Sequence, residues 1–600
     1  MSEVVTIGCW SGFWGDTPRA ASQVLRGAPI DYLVGDHLAE VTMALLVRAR
    51  IKDPAAGYVP DVVKALAPLL GEIHDRRVKV ITNGGGLNPA ACAAAFREAA
   101  AAAGVPLRIA HVEGDDVLAL APALRATGTA DMFTGEELPA DPLTVNAYLG
   151  ARPIAAALDL GADIVVTGRC ADSATVLGPL LHEFGWADDD YDLLAAGSLI
   201  GHIVECGPQC LGGLFTDWWA VPGWDDMGYP IAECRRDGTA VITKPDGTGG
   251  LVTPATIAEQ ILYEIGDPGA YVMPDVVCDW REVSLEGVEP DRVRVSGARG
   301  SAPTRTFKAT TTALDGMRVT ATAAFAGIDA AGRARRAGEA IVTRSERLAL
   351  EAGLGAFTET TVEVVGGGDA FGQPGTVTGA REAVVKIGAR HPDKAALELL
   401  AGEMASLALV AQGMSGFGAG RPKPQPVIRL YHVLVDKADV PVAVSIDGGA
   451  AHPVAVTVGG TDAPAASVPL AESAPAAING DHVTVELRRI AYGRSGDKGN
   501  DANIGLIARR PEFVPVLHQQ ITAARVAERF GAWLQGPVTR WELPGLNAVN
   551  ILLRDVLGGR GGTSSLRIDP QGKSYAAILL DLPVSVPASL LAAVDERVLV

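Results

Sequence analysis

The sequence predicts an α/β protein. A large N-terminal domain with a mostly parallel sheet, helices on both faces and an α+β extension is followed by a small ferredoxin-like α+β domain. Three observations lead there. Short, nearly continuous apolar runs alternate with helical patterns through the first two hundred residues, the grammar of a parallel sheet covered on both faces. From about residue 230 the pattern turns to hairpins and Val- and Thr-rich runs. Then VGGTDAPAASVPLAESAPAAINGD (458–481), rich in Ala, Pro, Ser and Gly, loses all periodicity and reads as a linker.

The elements follow in order. VTIGC (5–9), YLVGD (32–36), VKVIT (78–82), LRIAHV (107–112) and DIVVTG (163–168) read as buried strands, with helices over 37–51, 60–76, 88–103 and 142–160. In such sheets ligands gather at the C-terminal ends of the strands. CRRDGTAVITK (234–244) reads as a hairpin, 285–375 as mostly strands, 393–412 as an amphipathic helix and 425–447 as strand. The expected division is an N-terminal domain over 1–457, a linker over 458–481 and a small domain over 482–600. Within the first, residues 1–228 are expected to be parallel α/β and residues 229–457 α+β. The small domain reads strand 482–490, polar loop, strand 504–509, helix 511–534, strand 537–542, helix 544–557 and strand 575–581.

Length and charge bound the function. Six hundred residues exceed one core, so two or more are expected. A hydrophobic share of 48 % fits a globular chain. The formal charge of −19 argues against a general nucleic-acid or membrane-surface binder, because counterion release needs a basic face. No uncharged apolar run reaches about 18 residues, so no membrane span is expected. MSEVVTIGCW lacks a basic stretch followed by a long apolar core, so no secretory signal is expected. Seven scattered cysteines read as reduced, cytoplasmic usage. Cys206 and Cys210 lack a second pair at zinc spacing, and no metal site is assigned.

Several polar stretches could carry chemistry. NGGGLNP (83–89) follows a strand and opens a helix, so Asn83, Gly84, Gly85, Gly86 and Asn88 are candidate anion ligands, with a capped tight turn as the alternative. In TGRCADSATVLGP (167–179), Arg169 and Ser173 are candidate ligands of an acidic group and Asp172 a candidate catalytic residue. GDHLAEVT (35–42) puts His37 and Glu40 at i, i+3 on a helix start, a candidate acid/base pair. His182 and His202 also lie near glutamates, and sequence does not choose among the three histidines. KPDGTGGLVTP (244–254) offers Lys244, Gly249 and Gly250 to a phosphate, or is a hairpin exit. GMSGFGAGRPKP (413–424) reads as a mobile loop without a nucleophile elbow. YGRSGDKGNDANIG (492–505) reads as a long polar loop between strands, where such loops are usually functional. It makes Arg494, Ser495, Gly496 and Asn503 candidate ligand-binding residues, and Asp497 and Lys498 candidate catalytic ones.

TIGCWSGFWGDTP, ITNGGGLNPAA, VTGRCADSATVLGPLLHEFGW, ECGPQCLGGLFTDW, GYPIAE, VITKPDGTGGLVT and RSGDKGNDANIGLIAR together resemble the acyclic terpene utilisation AtuA family, from about residue 3 to 590. The resemblance implies a setting in bacterial breakdown of acyclic terpenes such as citronellol and geraniol, beside acyl-CoA carboxylases and enoyl-CoA hydratases. It implies no catalytic residue list. The expectation is an enzyme of acyclic terpene or branched-acid catabolism acting on an acyl-CoA thioester or branched carboxylate. Hydratase or lyase chemistry fits, without a redox cofactor, since no GxGxxG opens the parallel sheet. CoA enters only as part of the substrate. The alternative is a non-catalytic subunit for an acyl-CoA carboxylase or hydratase, docked through the linker and small domain. A homo-oligomer is expected.

Overall fold

A parallel sheet forms the centre of the N-terminal region in this computed structural model, which describes residues 3–418, 420–472, 481–558, 562 and 564–591. Strands Val4–Cys9, Tyr32–Gly35, Lys79–Gly86, Ile164–Gly168 and Ile109–Glu113 lie side by side in that order, all parallel. Two apolar layers cover them. Ile7, Val34 and Val165 point into one, Leu33, Val80 and Val166 into the other, which is why these strands read as continuous apolar runs. Antiparallel strands extend both edges to eleven strands in all, so the sheet is parallel only at its centre. The hairpin Ile231–Arg235/Ala240–Thr243 shows the reason: a short turn can only add an antiparallel neighbour, whereas a parallel one needs a crossover.

The second sheet is organised by one long strand, Thr306–Ala326, which pairs with Gln425–Asp436, Glu382–His391, Met414–Phe417 and Thr144–Ala147. Two expectations change here. The helix expected over 142–160 begins only at Arg152, because Thr144–Ala147 is a strand closing this sheet. The expected strands of 285–375 include a 22-residue helix, Ala330–Glu351, capped by Asp329 at the Gly332 N–H. Its Ala, Arg, Glu and Leu content favours helix, and its apolar side covers the sheet through Ala334, Ile341 and Ala349.

The C-terminal region is a four-stranded antiparallel sheet in the order Ala491–Lys498, Asp501–Ala508, Ala548–Leu553, Val538–Leu543. Phe513, Leu517, Phe530, Ile551 and Tyr575 share its core. Two expected elements exchange type: 544–557 contains a strand, Ala548–Leu553, and 575–581 a helix, Tyr575–Leu580. Both are short apolar runs buried nearly all round, so neither shows a face whose period could be read.

Residues 458–472 of the expected linker have no regular structure but lie on the protein. Ser467 donates its backbone N–H to Asp267 at 2.7 Å, and the Leu470 N–H donates to Arg540 O at 2.7 Å. Residues 473–480 lie outside the described residues. Among the described residues no helix is long and apolar enough to cross a membrane.

Candidate active site

YGRSGDKGNDANIG is a tight hairpin rather than a long loop. Its strands pair without a break from Ala491↔Ala508 to Lys498↔Asp501, leaving Gly499–Asn500 as the turn. Gly499 has φ of 62°, as the first position of a type II′ turn requires. The polar residues therefore stand on strands, and three of them, with Gly496, meet the protein itself. Asn503 accepts from the Glu264 N–H at 2.9 Å and donates to Leu262 O at 2.5 Å and to Asn550 Oδ1 at 2.9 Å. Arg494 donates to Gln209 and stacks 4.4 Å from the Tyr263 ring centre. Ser495 donates to Gly572 O at 2.7 Å and accepts from the Ala576 N–H. A Cβ on Gly496 would lie 2.5 Å from Tyr263, so only glycine lets the two regions touch there. The expected ligand-binding role of Arg494, Ser495, Gly496 and Asn503 gives way to docking of one region on the other. A bidentate pair between Arg509 and Asp217, 2.6 Å in both contacts, adds a second clamp.

This makes a prediction about stability. Asn503 is fully buried, and its loss strands a buried N–H and a carbonyl. Each such group costs about 1–3 kcal/mol, so Asn503→Ala is expected to lower stability by roughly 2–4 kcal/mol in urea unfolding and to speed proteolytic release of the C-terminal region. An unchanged midpoint would contradict the docking role.

Docking brings Asp497 and Lys498 into the wall of a 690 Å³ cavity that Glu40, Arg169, Asp172 and Ser173 also line. The last four follow the C-terminal ends of the parallel strands Tyr32–Gly35 and Ile164–Gly168, where this sheet class places ligands. Three further contributors come from distant chain: Lys308 and His432 on the second sheet, and Glu264 beyond the helix Pro254–Ile261. The family of buried polar groups is completed by His202 and Glu205 at the end of the helix Tyr191–Val204.

The cations are held in place. Arg169 is 2 % exposed; its Nη1 donates to Leu38 O at 2.7 Å, its Nη2 to Asp172 Oδ1 at 2.9 Å, and its face lies 4.1 Å from the Tyr148 ring centre. Its Nε has no partner among the described residues. Lys308 approaches Glu40 at 3.5 Å, and Tyr148 donates to the same carboxylate oxygen at 2.8 Å. Burial pushes the Lys308 amine down, with Glu40 opposing that. Lys498 donates to the Tyr271 hydroxyl at 3.4 Å. Burial opposes its charge, but Tyr271, Glu264 and Glu40 outweigh it and hold the amine protonated.

The carboxyls divide into two groups. Glu40 is held well below its usual range despite burial, by Lys308 and Arg169. Glu264 is also lowered against burial, by Lys573 at 2.7 Å and by Lys498. Burial raises three others. Glu205 is pushed well above its usual range by burial and by Asp172 and Glu264, and Asp172 is raised by burial against the pull of Arg169. Asp497 is pushed up to about 7 by burial and by Glu264. His202 and His432 are driven down to about 4, chiefly by burial, and are neutral at neutral pH. His202 Nε2 donates to Ile261 O at 3.2 Å, which leaves Nδ1 as an acceptor 3.4 Å from Glu205 Oε1. A protonated Glu205 fits that neighbour.

The remaining candidates lie elsewhere. His37 precedes the helix Glu40–Lys52, packs on Trp10 and contacts Gly35 O and Thr82 Oγ1 at 3.2 Å each, so it does not share a helix face with Glu40. Asn83 accepts from the His37 N–H and donates to Asp36. Gly84, Gly85 and Gly86 pack on Val62, Pro89 and Leu46, and Asn88 caps the helix Pro89–Ala103. The glycines end the strand Lys79–Gly86, and the chain turns tightly over Gly85–Asn88 against the core. Lys244 donates to Thr248 O at 2.7 Å and lies 3.4 Å from Asp291, while Gly249 and Gly250 pack on Gly223 and Leu211. His182 pairs with Asp159 at 2.6 Å near the surface. Lys308 and His432 do not stand out in sequence, because their strands carry other charged residues as well, Asp315 and Arg318 in one and Arg429 and Asp436 in the other.

Comparison with known families places the chain. The model described as acyclic terpene utilisation family protein AtuA matches residues 5–446, and that of the AtuA ferredoxin-like domain matches 485–585. No curated protein and no solved structure matches the sequence. The chain belongs to the acyclic terpene utilisation AtuA family and carries that family's ferredoxin-like domain at its C-terminal end.

Proposed function

We propose that this protein is an enzyme of acyclic terpene or branched-acid breakdown that adds water to, or eliminates it from, a branched carboxylate or its acyl thioester. The carrying observation is a single cavity in which Arg169, Lys308 and Lys498 stand among carboxyls, Glu40 and Glu264 held below their usual range and Glu205 and Asp497 pushed above it. Fixed cations in a partly buried site stabilise an enolate-like oxygen at no reorganisation cost. Two titratable groups pushed to different pKa values divide the acid and base roles. In a hydration, Asp497 takes a proton from water as the oxygen bonds to the β-carbon. The α-carbon then receives a proton from Glu205, while Lys498 and Arg169 hold the charge on the carboxyl or carbonyl oxygen. Elimination runs the same steps backward. The subunit alternative draws on a free tether, whereas residues 458–472 are bonded to the body and partly line the cavity.

The pH dependence carries a sign. Asp497 must be deprotonated as base, so activity is expected to rise as pH passes about 7 and to fall at higher pH as Glu205 loses its proton. A flat profile would contradict these roles. The binding test is calorimetry of the purified protein with CoA, branched enoyl-CoAs and the corresponding free acids. Failure of all of them to bind at about millimolar concentration would remove the proposal.

A further inference from the structure

The cavity has a polarity gradient that bears on which end of a substrate enters first. Its buried end is polar and holds the Arg169 cation: Arg169 and His202 are 2 % and 4 % exposed, and Glu205 lies beside them. Its outer lining sets apolar side chains beside a few polar ones, among them Thr134, Asp462 and Arg554. Val41, Met132, Val272 and Leu434 line the cavity and are 38 %, 49 %, 46 % and 40 % exposed. The exposed cation of the lining, Arg554, is paired with Asp501 at 2.7 Å, and Arg429 with Glu136 at 2.5 Å. The chain's charge of −19 adds a general repulsion of polyanions.

From this gradient, and resting on the function proposed above, we infer that the substrate is a free apolar-tailed carboxylic acid, bound carboxylate-first with its chain leaving along the apolar rim, and not a CoA thioester. A thioester would have to run the other way. Its acyl chain would lie among Arg169, Lys498 and Glu205, desolvating two cations and a polar carboxyl against hydrocarbon. Its pantetheine and multiply charged nucleotide would cross a rim of valine, leucine and methionine whose described cations are already paired. A free acid reverses both mismatches. The carboxylate meets Lys498 and Lys308 beside Arg169, and each methylene on the rim leaves water.

The test is calorimetric, on the full-length protein, with matched pairs of branched enoic acids of increasing chain length and their CoA thioesters. The free acids are expected to bind at least about tenfold tighter than their thioesters. Their affinity is expected to grow by up to about fourfold per methylene along the rim. Val272→Glu and Leu434→Glu are expected to flatten that chain-length dependence while leaving the shortest acid's affinity within about twofold. Thioesters that bind as tightly as the acids would overturn this inference and leave the proposed function standing. A chain-length dependence untouched by both rim variants would overturn the placement of the tail. Absence of binding by both ligand classes would overturn the proposed function itself.

Discussion

Asp497→Asn is expected to abolish turnover and, at the same time, to stabilise the protein at about pH 8. Burial and Glu264 push the Asp497 carboxyl up from 3.8 to about 7. Between those values the folded chain keeps a proton that the unfolded chain has released, so stability falls as pH rises through this window, and the loss is complete above about 7. One pKa unit is about 1.4 kcal/mol, which bounds the effect near 4 kcal/mol. The side chain is 19 % exposed and Lys573 Nζ lies 3.4 Å away, so a gain of about 1–3 kcal/mol for the uncharged asparagine is the expected size. At about pH 4 the two proteins should be equally stable. Paired urea unfolding at both pH values, with a turnover assay, reads all three outcomes. A variant less stable than wild type at pH 8, or one that still turns over, would return Asp497 to a structural role.

Lys498→Ala is expected to lower turnover strongly while the chain still folds. The amine sits on the hairpin's last strand residue and meets Tyr271 at 3.4 Å, so little packing is lost. Tyr271, Glu264 and Glu40 outweigh the burial of its charge, so its removal is expected to cost the fold some stability, which urea unfolding reads separately from the loss of rate. Removing a fixed donor to a developing oxyanion typically lowers kcat by about 10²–10³. A further readout separates this from structural damage. Lys498 lowers the pKa of Glu205, so its removal should move the alkaline limb of the residual pH profile upward, and Lys498→Arg should restore part of the rate. Normal activity in Lys498→Ala would leave the hairpin with docking as its role.

The parallel centre was legible because buried strands such as Tyr32–Gly35 and Ile164–Gly168 are apolar on both faces and alternate with helices. The exchange of strand and helix at Ala548–Leu553 and Tyr575–Leu580 has the opposite cause: burial on every side erases the period. In the site, Glu40, Arg169, Asp172, Asp497 and Lys498 could be picked out because charge at strand ends and in a hairpin is conspicuous against a 48 % hydrophobic chain. The convergence of Lys308, His432 and Glu264 on the same cavity is a product of topology, which local pattern does not encode. Asn503 and Arg494 failed as ligand residues for a related reason. A buried amide or guanidinium is satisfied equally well by a substrate oxygen or by an acceptor of the neighbouring region, and here Leu262 O and Gln209 supply the partners.

The central claim is that the N-terminal and C-terminal regions build one binding site. A double-mutant cycle on ligand affinity tests it directly, with Lys308→Met from the second sheet, Lys498→Met from the C-terminal hairpin, and the two combined, each titrated with a branched enoic acid. The expected result is at least tenfold weaker binding in each single variant, and a double variant that departs from additivity by about 0.5 kcal/mol or more, as residues sharing one bound group do. Full affinity in either single variant, or strict additivity, would contradict a shared site.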